Sequence, residues 1–231
     1  PGMKRLTGVA ELLDGPLDDP ATLAANLRDL ARINRLTGGT GLSERAIAAL
    51  GVTTSLLDVG TGGADIPMTL LARARSAGRR LSVTATDSRD EVLAAAREAR
   101  PAIGRTNGLE LAIADGRELP YPDAAFDVAH ASLVLHHLEP DEAVAFLREL
   151  RRVARNGIVV NDLVRSRRAW IGGWFVVHAM ATSRYTRHDG PLSVRRAYAR
   201  TELLALLAVA GLAPVAVVDG FARHRVAIAA R

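Results

Sequence analysis

The 231-residue chain is 48% apolar, 24% charged and 4% aromatic, which suits one α/β domain with a full buried core and excludes a disordered chain. Cysteine is absent, so a disulfide framework, a thiolate nucleophile and a cysteine zinc site are excluded. The net charge of +5 rests on 30 basic residues of which only Lys4 is a lysine, a composition bias rather than a designed nucleic-acid surface.

In chain order, the basic start at Lys4-Arg5 is followed by no apolar core of a signal peptide. Residues 19–51 read as two helices broken at Thr37-Gly38-Gly39-Thr40-Gly41, an N-terminal helical cap. Strand-like runs follow at 55–60, 81–87, 109–115, 125–131 and 157–162, alternating with helical patterns at 64–77, 90–99 and 140–154. Around the end of that last helix, Arg148, Arg151, Arg152 and Arg155 have the spacing of a solvated helix face. Residues 163–200 are an insertion that holds Trp170, Trp174, Phe175 and Tyr185, aromatics available to floor a pocket or to pack the insertion itself. Its apolar stretch 169–181 is too short to span a membrane and carries His178. A helix over 201–210 leads to runs at 213–219 and 223–229, whose short link demands an antiparallel hairpin. Alternating strands and helices imply a parallel sheet of Rossmann-like α/β class. One domain over 1–231 is expected, soluble and cytoplasmic, with caps at 19–51 and 163–200.

The chemistry concentrates where strands end. Leu57-Asp58-Val59-Gly60-Thr61-Gly62-Gly63 runs a strand into a glycine-rich turn that opens a helix, so backbone N–H groups meet a ligand closely. Asp87 ends the second strand, where a carboxylate can accept both hydroxyls of a ribose, and Asp115 with Gly116 ends the third. Six histidines are available as bases. His136 and His137 follow the fourth strand, and His178 and His188 lie in the insertion. His130, inside a strand, and His224, in the hairpin, are set aside.

These motifs, with Phe126-Asp127-Val128 and Ser132-Leu133-Val134-Leu135-His136-His137-Leu138, resemble the class I S-adenosylmethionine-dependent methyltransferases. The likeness covers about residues 50–230 and is strongest to the small-molecule branch of ubiquinone and menaquinone biosynthesis. Arg187-His188-Asp189-Gly190-Pro191-Leu192-Ser193 and Ile33-Asn34-Arg35-Leu36-Thr37-Gly38-Gly39 are similar to bacterial methyltransferases of aromatic polyketide or pigment pathways. The resemblance implies a seven-stranded sheet with its last strand reversed. It implies that the Gly60–Gly62 turn backs the methionine moiety, that Asp87 holds the ribose, and that Asp115 and Gly116 face the adenine. With Asp58, Thr61, Ser88, Ser132 and Arg35, these are the candidate residues for S-adenosylmethionine, whose product is S-adenosylhomocysteine. The candidate bases are His136, His137, His178 and His188. The acceptor is expected to be a small phenolic or quinone-like molecule, methylated on oxygen or carbon, with no nucleic acid, no membrane span and either a monomer or a homodimer.

Three rivals are weighed. A nicotinamide dehydrogenase would prefer a small residue where Asp65 stands. Enzymes that methylate the exocyclic amine of a nucleic-acid base carry an Asn/Asp-Pro-Pro-aromatic signature after the fourth strand, where this chain has His130-Ala131-Ser132-Leu133. A cofactor-binding protein without catalysis stays open. No metal is expected, because Asn161-Asp162 have no matching acid after the fourth strand.

Overall fold

The computed structural model describes residues 3–17 and 19–231. Helix α1 (Pro20–Leu36) and helix α2 (Gly39–Ala48) precede strand β1 (Ser55–Val59). The chain then alternates through α3 (Asp65–Ser76), β2 (Ser82–Asp87), α4 (Asp90–Ala99), β3 (Leu109–Ile113), β4 (Phe126–Ser132), α5 (Pro140–Val153) and β5 (Ala154–Leu163). Helices α6 (Arg167–Met180), α7 (Arg184–Arg196) and α8 (Arg200–Val209) lead to the hairpin β6 (Pro214–Asp219) and β7 (Arg225–Ala230).

The seven strands order as β3-β2-β1-β4-β5-β7-β6. All are parallel except β7, which runs antiparallel to both β5 and β6. Strand β1 lies between β2 and β4, so the connections leave it in opposite directions and open a crevice at its carboxyl end. Strands covered on both faces carry apolar residues at nearly every position, and β7 (Arg-Val-Ala-Ile-Ala-Ala) is apolar after Arg225 and buried throughout.

Helix α5 shows the helical counterpart: Ala143, Val144, Phe146, Leu147, Leu150 and Val153 fall on one buried stripe, and Pro140 opens the first turn where no N–H is needed. That stripe and α8 cover one face of the sheet. Helices α2 and α3 cover the other, with Leu42, Ala46, Ile66 and Leu70 buried on Val83, Val128 and Val159. The two helices expected to form an N-terminal cap therefore part company. Only α1 stands over the crevice end, packed on α4 and α7 through Leu23, Leu27, Ala95 and Tyr185. The break is Gly38, in the left-handed region at φ 75°, while Gly39 and Gly41 begin α2 rather than forming a hinge. Among the described residues, no helix is long and apolar enough to cross a membrane.

Candidate active site

The crevice of about 390 Å³ lies at the carboxyl ends of β1, β2, β3 and β4. Its floor needs glycine. Gly60 sits at φ 70° and Gly62 at φ 53°, and a Cβ on Gly60 would stand 2.5 Å from Val134 Cγ2. A Cβ on Gly116 would meet the Phe146 ring at 2.5 Å and Val59 Cγ1 at 2.8 Å. The turn is pinned by Thr61 N–H donating to Thr86 O at 2.8 Å and Gly62 N–H to Asp87 Oδ2 at 3.1 Å.

Asp87 also accepts from Arg89 N–H at 3.3 Å, which leaves each carboxylate oxygen with unused acceptor capacity. Burial pushes its pKa up, against the pull of the Gly62, Arg89 and Ser88 N–H groups. Thr61 Oγ1 is buried without a partner, and Ser88 and Ser132 line the same space. A glycine cradle, a desolvated acid with free lone pairs and an orphaned hydroxyl fit S-adenosylmethionine.

Asp115 lines the rim, exposed. Its carboxylate is held by Arg117 through the backbone N–H (2.9 Å), Nε (3.0 Å) and Nη2 (2.7 Å), and the Arg117 guanidinium keeps it below the ordinary carboxylate value.

Asp58 is buried and turns inward to His130 Nδ1. Behind it runs a buried polar chain that spans both halves of the molecule. His130 Nε2 is 2.7 Å from Ser43 Oγ. Asn161 Nδ2 donates to Ser43 Oγ at 2.7 Å, so the Ser43 hydroxyl is left to donate to His130 Nε2, and the His130 proton sits on Nδ1 facing Asp58. The fully buried Arg225 donates to Asn161 Oδ1, Asn34 Oδ1 and Ser132 Oγ, each at 2.6 Å. Asn34 Nδ2 passes on to Asp65 Oδ2 at 3.1 Å. Desolvation lowers Arg225 to about 10, so it remains a cation at neutral pH. Gly39 permits this crossing, since a Cβ there would come within 2.6 Å of Arg225 Nη1. His130 is thus a positioning residue in mid-strand, and Asn161 and Asp162 stand behind the site rather than on its wall.

A second cavity of about 410 Å³ adjoins the crevice. Leu30 and Ile33 of α1, Ala169, Val176 and Val177 of α6 and Val194 of α7 give it an apolar lining. Leu133, Asn26, Asn34 and His137 border both spaces. Leu133 holds φ 60°, a left-handed conformation costly for a leucine, at the wall between them. The polar end consists of His136, His137 and Glu11. His136 is buried, with Nδ1 2.7 Å from Asp162 Oδ1 and its N–H donating to Asp162 Oδ2 at 3.2 Å. Burial works against the Asp162 charge, but the His136 imidazole and the Leu163 N–H outweigh it and hold the acid below its ordinary value. His137 Nδ1 lies 2.9 Å from Asp14 Oδ1. Burial pushes Glu11 up to about 7 against the opposing pull of His137 and Arg196.

Three sequence expectations are corrected, and one open reading is decided. Arg35 is exposed and lines neither cavity, because one residue is a 100° turn of α1 and Asn34 takes the inward position. His178 is exposed, stacked on Trp174 with ring centroids 4.2 Å apart. His188 is exposed and bonded to Asp189 Oδ1 at 2.7 Å. The aromatics do not floor the cavity. Trp170, Trp174 and Phe175 face outward from α6, whose small residues turn inward, and Tyr185 packs among α1 and α4. Conversely, Glu11, Asn26, Asn34, Asp65 and Arg225 went unnoticed as site residues.

Residues 57–160 match the family described as "Methyltransferase domain". The chain has, among its described residues, the Rossmann-like fold of methyltransferases. Its residues are 33% identical over 76 positions to the ubiquinone/menaquinone biosynthesis C-methyltransferase UbiE of Rickettsia akari (strain Hartford), a match spanning 33% of this chain and 31% of that relative. The chain thus matches about a third of the length of the curated relatives. A SAM-dependent methyltransferase from Aquifex aeolicus superposes with TM-score 0.64 at 22% identity, covering 92% of this chain and 97% of the other. The O-methyltransferase family 2 protein from Planctomyces limnophilus DSM 3776, in complex with apigenin, gives TM-score 0.62 at 18% identity over 94% and 63% of the two chains. These superpositions extend the fold beyond the matched segment to most of the chain.

Proposed function

We propose that the chain methylates a small phenolic or quinone-like acceptor, on oxygen or carbon. The observation that carries this reading is the cavity joined to the glycine-floored crevice, walled by aliphatic side chains of α1, α6 and α7 and carrying Glu11, His136 and His137 at one end among its polar lining residues. An amphipathic ring with one acidic hydroxyl matches that lining, and a cavity walled by three helices suits a small molecule better than a nucleic acid. The UbiE relatives, named for quinone biosynthesis, and the apigenin complex of the Planctomyces protein support the acceptor class.

S-adenosylmethionine supplies an electrophilic methyl group on a sulfonium. Asp87 would accept from the ribose hydroxyls, Gly60, Thr61 and Gly62 would back the methionine moiety together with Asp58 and Ser132, and Ser88, Asp115 and Gly116 would lie on the adenine side. Leu133 and the aliphatic walls of α1 and α6 exclude water and align the acceptor, the source of most of the acceleration in such transfers. Asp162 and Asp14 accept from Nδ1–H of His136 and His137, so that with no ion bound each ring turns Nε2 toward the cavity, where it can take the proton of an acceptor hydroxyl.

Incubating the protein with methyl-labelled cofactor and a panel of phenols, naphthols and hydroquinones tests the reading by mass shift. Label on at least one aromatic acceptor is expected. Label on none of them, while S-adenosylhomocysteine still binds, refutes the acceptor class.

A further inference from the structure

We propose that Glu11, His136 and His137 form a binding site for a first-row divalent transition ion, open toward the acceptor cavity. Sequence reasoning expected no metal because it sought acids at the ends of the fourth and fifth strands. The carboxylate comes instead from residue 11, brought in by a 3-10 turn over Leu12–Asp14.

Four observations converge. First, one ligand atom from each residue lies within 4.8 Å of the others. Glu11 Oε1 is 3.8 Å from His136 Nε2 and Oε2 is 3.9 Å from His137 Nε2, so each carboxylate oxygen faces one imidazole. For those two pairs, ligand bonds of about 2.0–2.2 Å require separations of about 3.0–3.5 Å, a contraction of roughly half an ångström, and the imidazole pair, within 4.8 Å, closes through its side-chain torsions. Second, Glu11 is 4% exposed, and its Oε1 has no hydrogen-bond partner. Arg196 is the neighbouring cation, with Nη1 3.5 Å from that oxygen, and its closer hydrogen bonds go to Asp14 Oδ2 (2.7 Å) and His137 O (2.9 Å).

Third, both imidazoles are oriented as metal ligands are. Each Nδ1 faces a carboxylate, Asp162 for His136 and Asp14 for His137, which fixes the tautomer and leaves Nε2 free. Fourth, four carboxylates (Glu11, Asp14, Asp162 and Asp189) surround the spot against Arg196 and the more distant Arg225. Asp189 also anchors the turn itself, accepting from Leu12 N–H at 2.9 Å and Leu13 N–H at 3.1 Å.

Two imidazoles and one carboxylate select Zn²⁺, Mn²⁺, Fe²⁺ or Co²⁺ over Mg²⁺ or Ca²⁺, which want oxygen alone. Three protein ligands leave positions open, and all three residues line the cavity, so the acceptor's hydroxyl oxygen would complete the shell. That last step rests on the acceptor reading above, whereas the ion site does not.

The test uses the full chain stripped with a chelator and titrated with Co²⁺, followed by its visible d–d absorption and by Zn²⁺ competition. One ion per chain is expected, with affinity lowered at least about tenfold in Glu11→Gln and in His137→Ala and unchanged in His178→Ala. S-adenosylhomocysteine calorimetry on the same preparations certifies each variant's fold and cofactor half. His137, at the cavity rim, keeps the test decisive where Glu11→Gln unfolds. Absence of a saturable band, or equal affinity in the folded variants, overturns the site. Loss of S-adenosylhomocysteine binding with ion binding intact would count against the methyltransferase reading alone. A phenolic acceptor should shift the Co²⁺ band, and an unshifted band overturns coordination of the acceptor.

Discussion

The two cavities are built on different principles. The cofactor crevice is made of strand ends and the turns that follow them, so its residues fall at regular intervals from Asp58 through Asp87 to Gly116. The acceptor cavity gathers a 3-10 turn near the N-terminus, one face each of α1, α6 and α7, and the turn after β4. Sheet topology dictates the first, because parallel strands present all their carboxyl ends on one side. The second depends on long-range helix packing, which no local pattern specifies. Specificity can therefore change at the second while the first stays fixed.

Arg225 ties the halves together, and its loss should have the largest effect. Arg225→Ala strands Asn34, Asn161 and Ser132 without their shared donor, at a cost of about 3 kcal/mol or more. Denaturant unfolding measures this, and a loss under about 1 kcal/mol would make the two halves independent. Gly116→Ala strikes the crevice alone. The added Cβ meets the Phe146 ring, so stability should fall by about 1–3 kcal/mol and S-adenosylhomocysteine affinity with it, read by thermal melts and calorimetry.

Val176→Phe strikes the acceptor cavity alone. The extra ring occupies acceptor space, so the acceptor KM should rise roughly tenfold while S-adenosylhomocysteine affinity stays put. A matching loss in both would mean that the cavities are not separable.

The smallest effect is on pH. Burial raises Asp87 above its unfolded value, so in the ligand-free protein its contribution to stability is present at low pH and lost as pH rises through the raised value. Ribose hydroxyls donate to the ionised form, so cofactor affinity runs the other way. It should weaken as pH falls through the window just above the ordinary carboxylate range, by at most about tenfold per unit. Calorimetry across that window checks it, and a pH profile identical in Asp87→Asn would remove Asp87 as the cause.

What the sequence disclosed follows the same division. The strand-helix alternation, the hairpin and the reversed β7 were all readable, because a parallel sheet imposes apolar runs, glycine turns and a link too short to cross over. Asp87 and Gly116 were readable for the same reason. Arg225 was not, since an arginine opening a terminal strand looks like a surface residue until Asn34, Asn161 and Ser132 close around it. Glu11 was not, because its partners lie 125 and 126 positions away, in the turn after β4. The aromatic insertion left a pocket floor and a packing core both open, and neither describes Trp174 and Phe175, because α6 turns Ala169 and Gly173 toward the cavity and leaves those rings exposed.

The most direct test of a glycine-floored cofactor site at the end of β1 is calorimetry of S-adenosylhomocysteine on the wild-type chain and on Asp87→Ala. One site per chain is predicted, weakened in the variant by about 1.5–3 kcal/mol, the cost of losing hydrogen bonds to a charged group. No saturable heat in the wild type, or equal affinity in a folded Asp87→Ala, would contradict it.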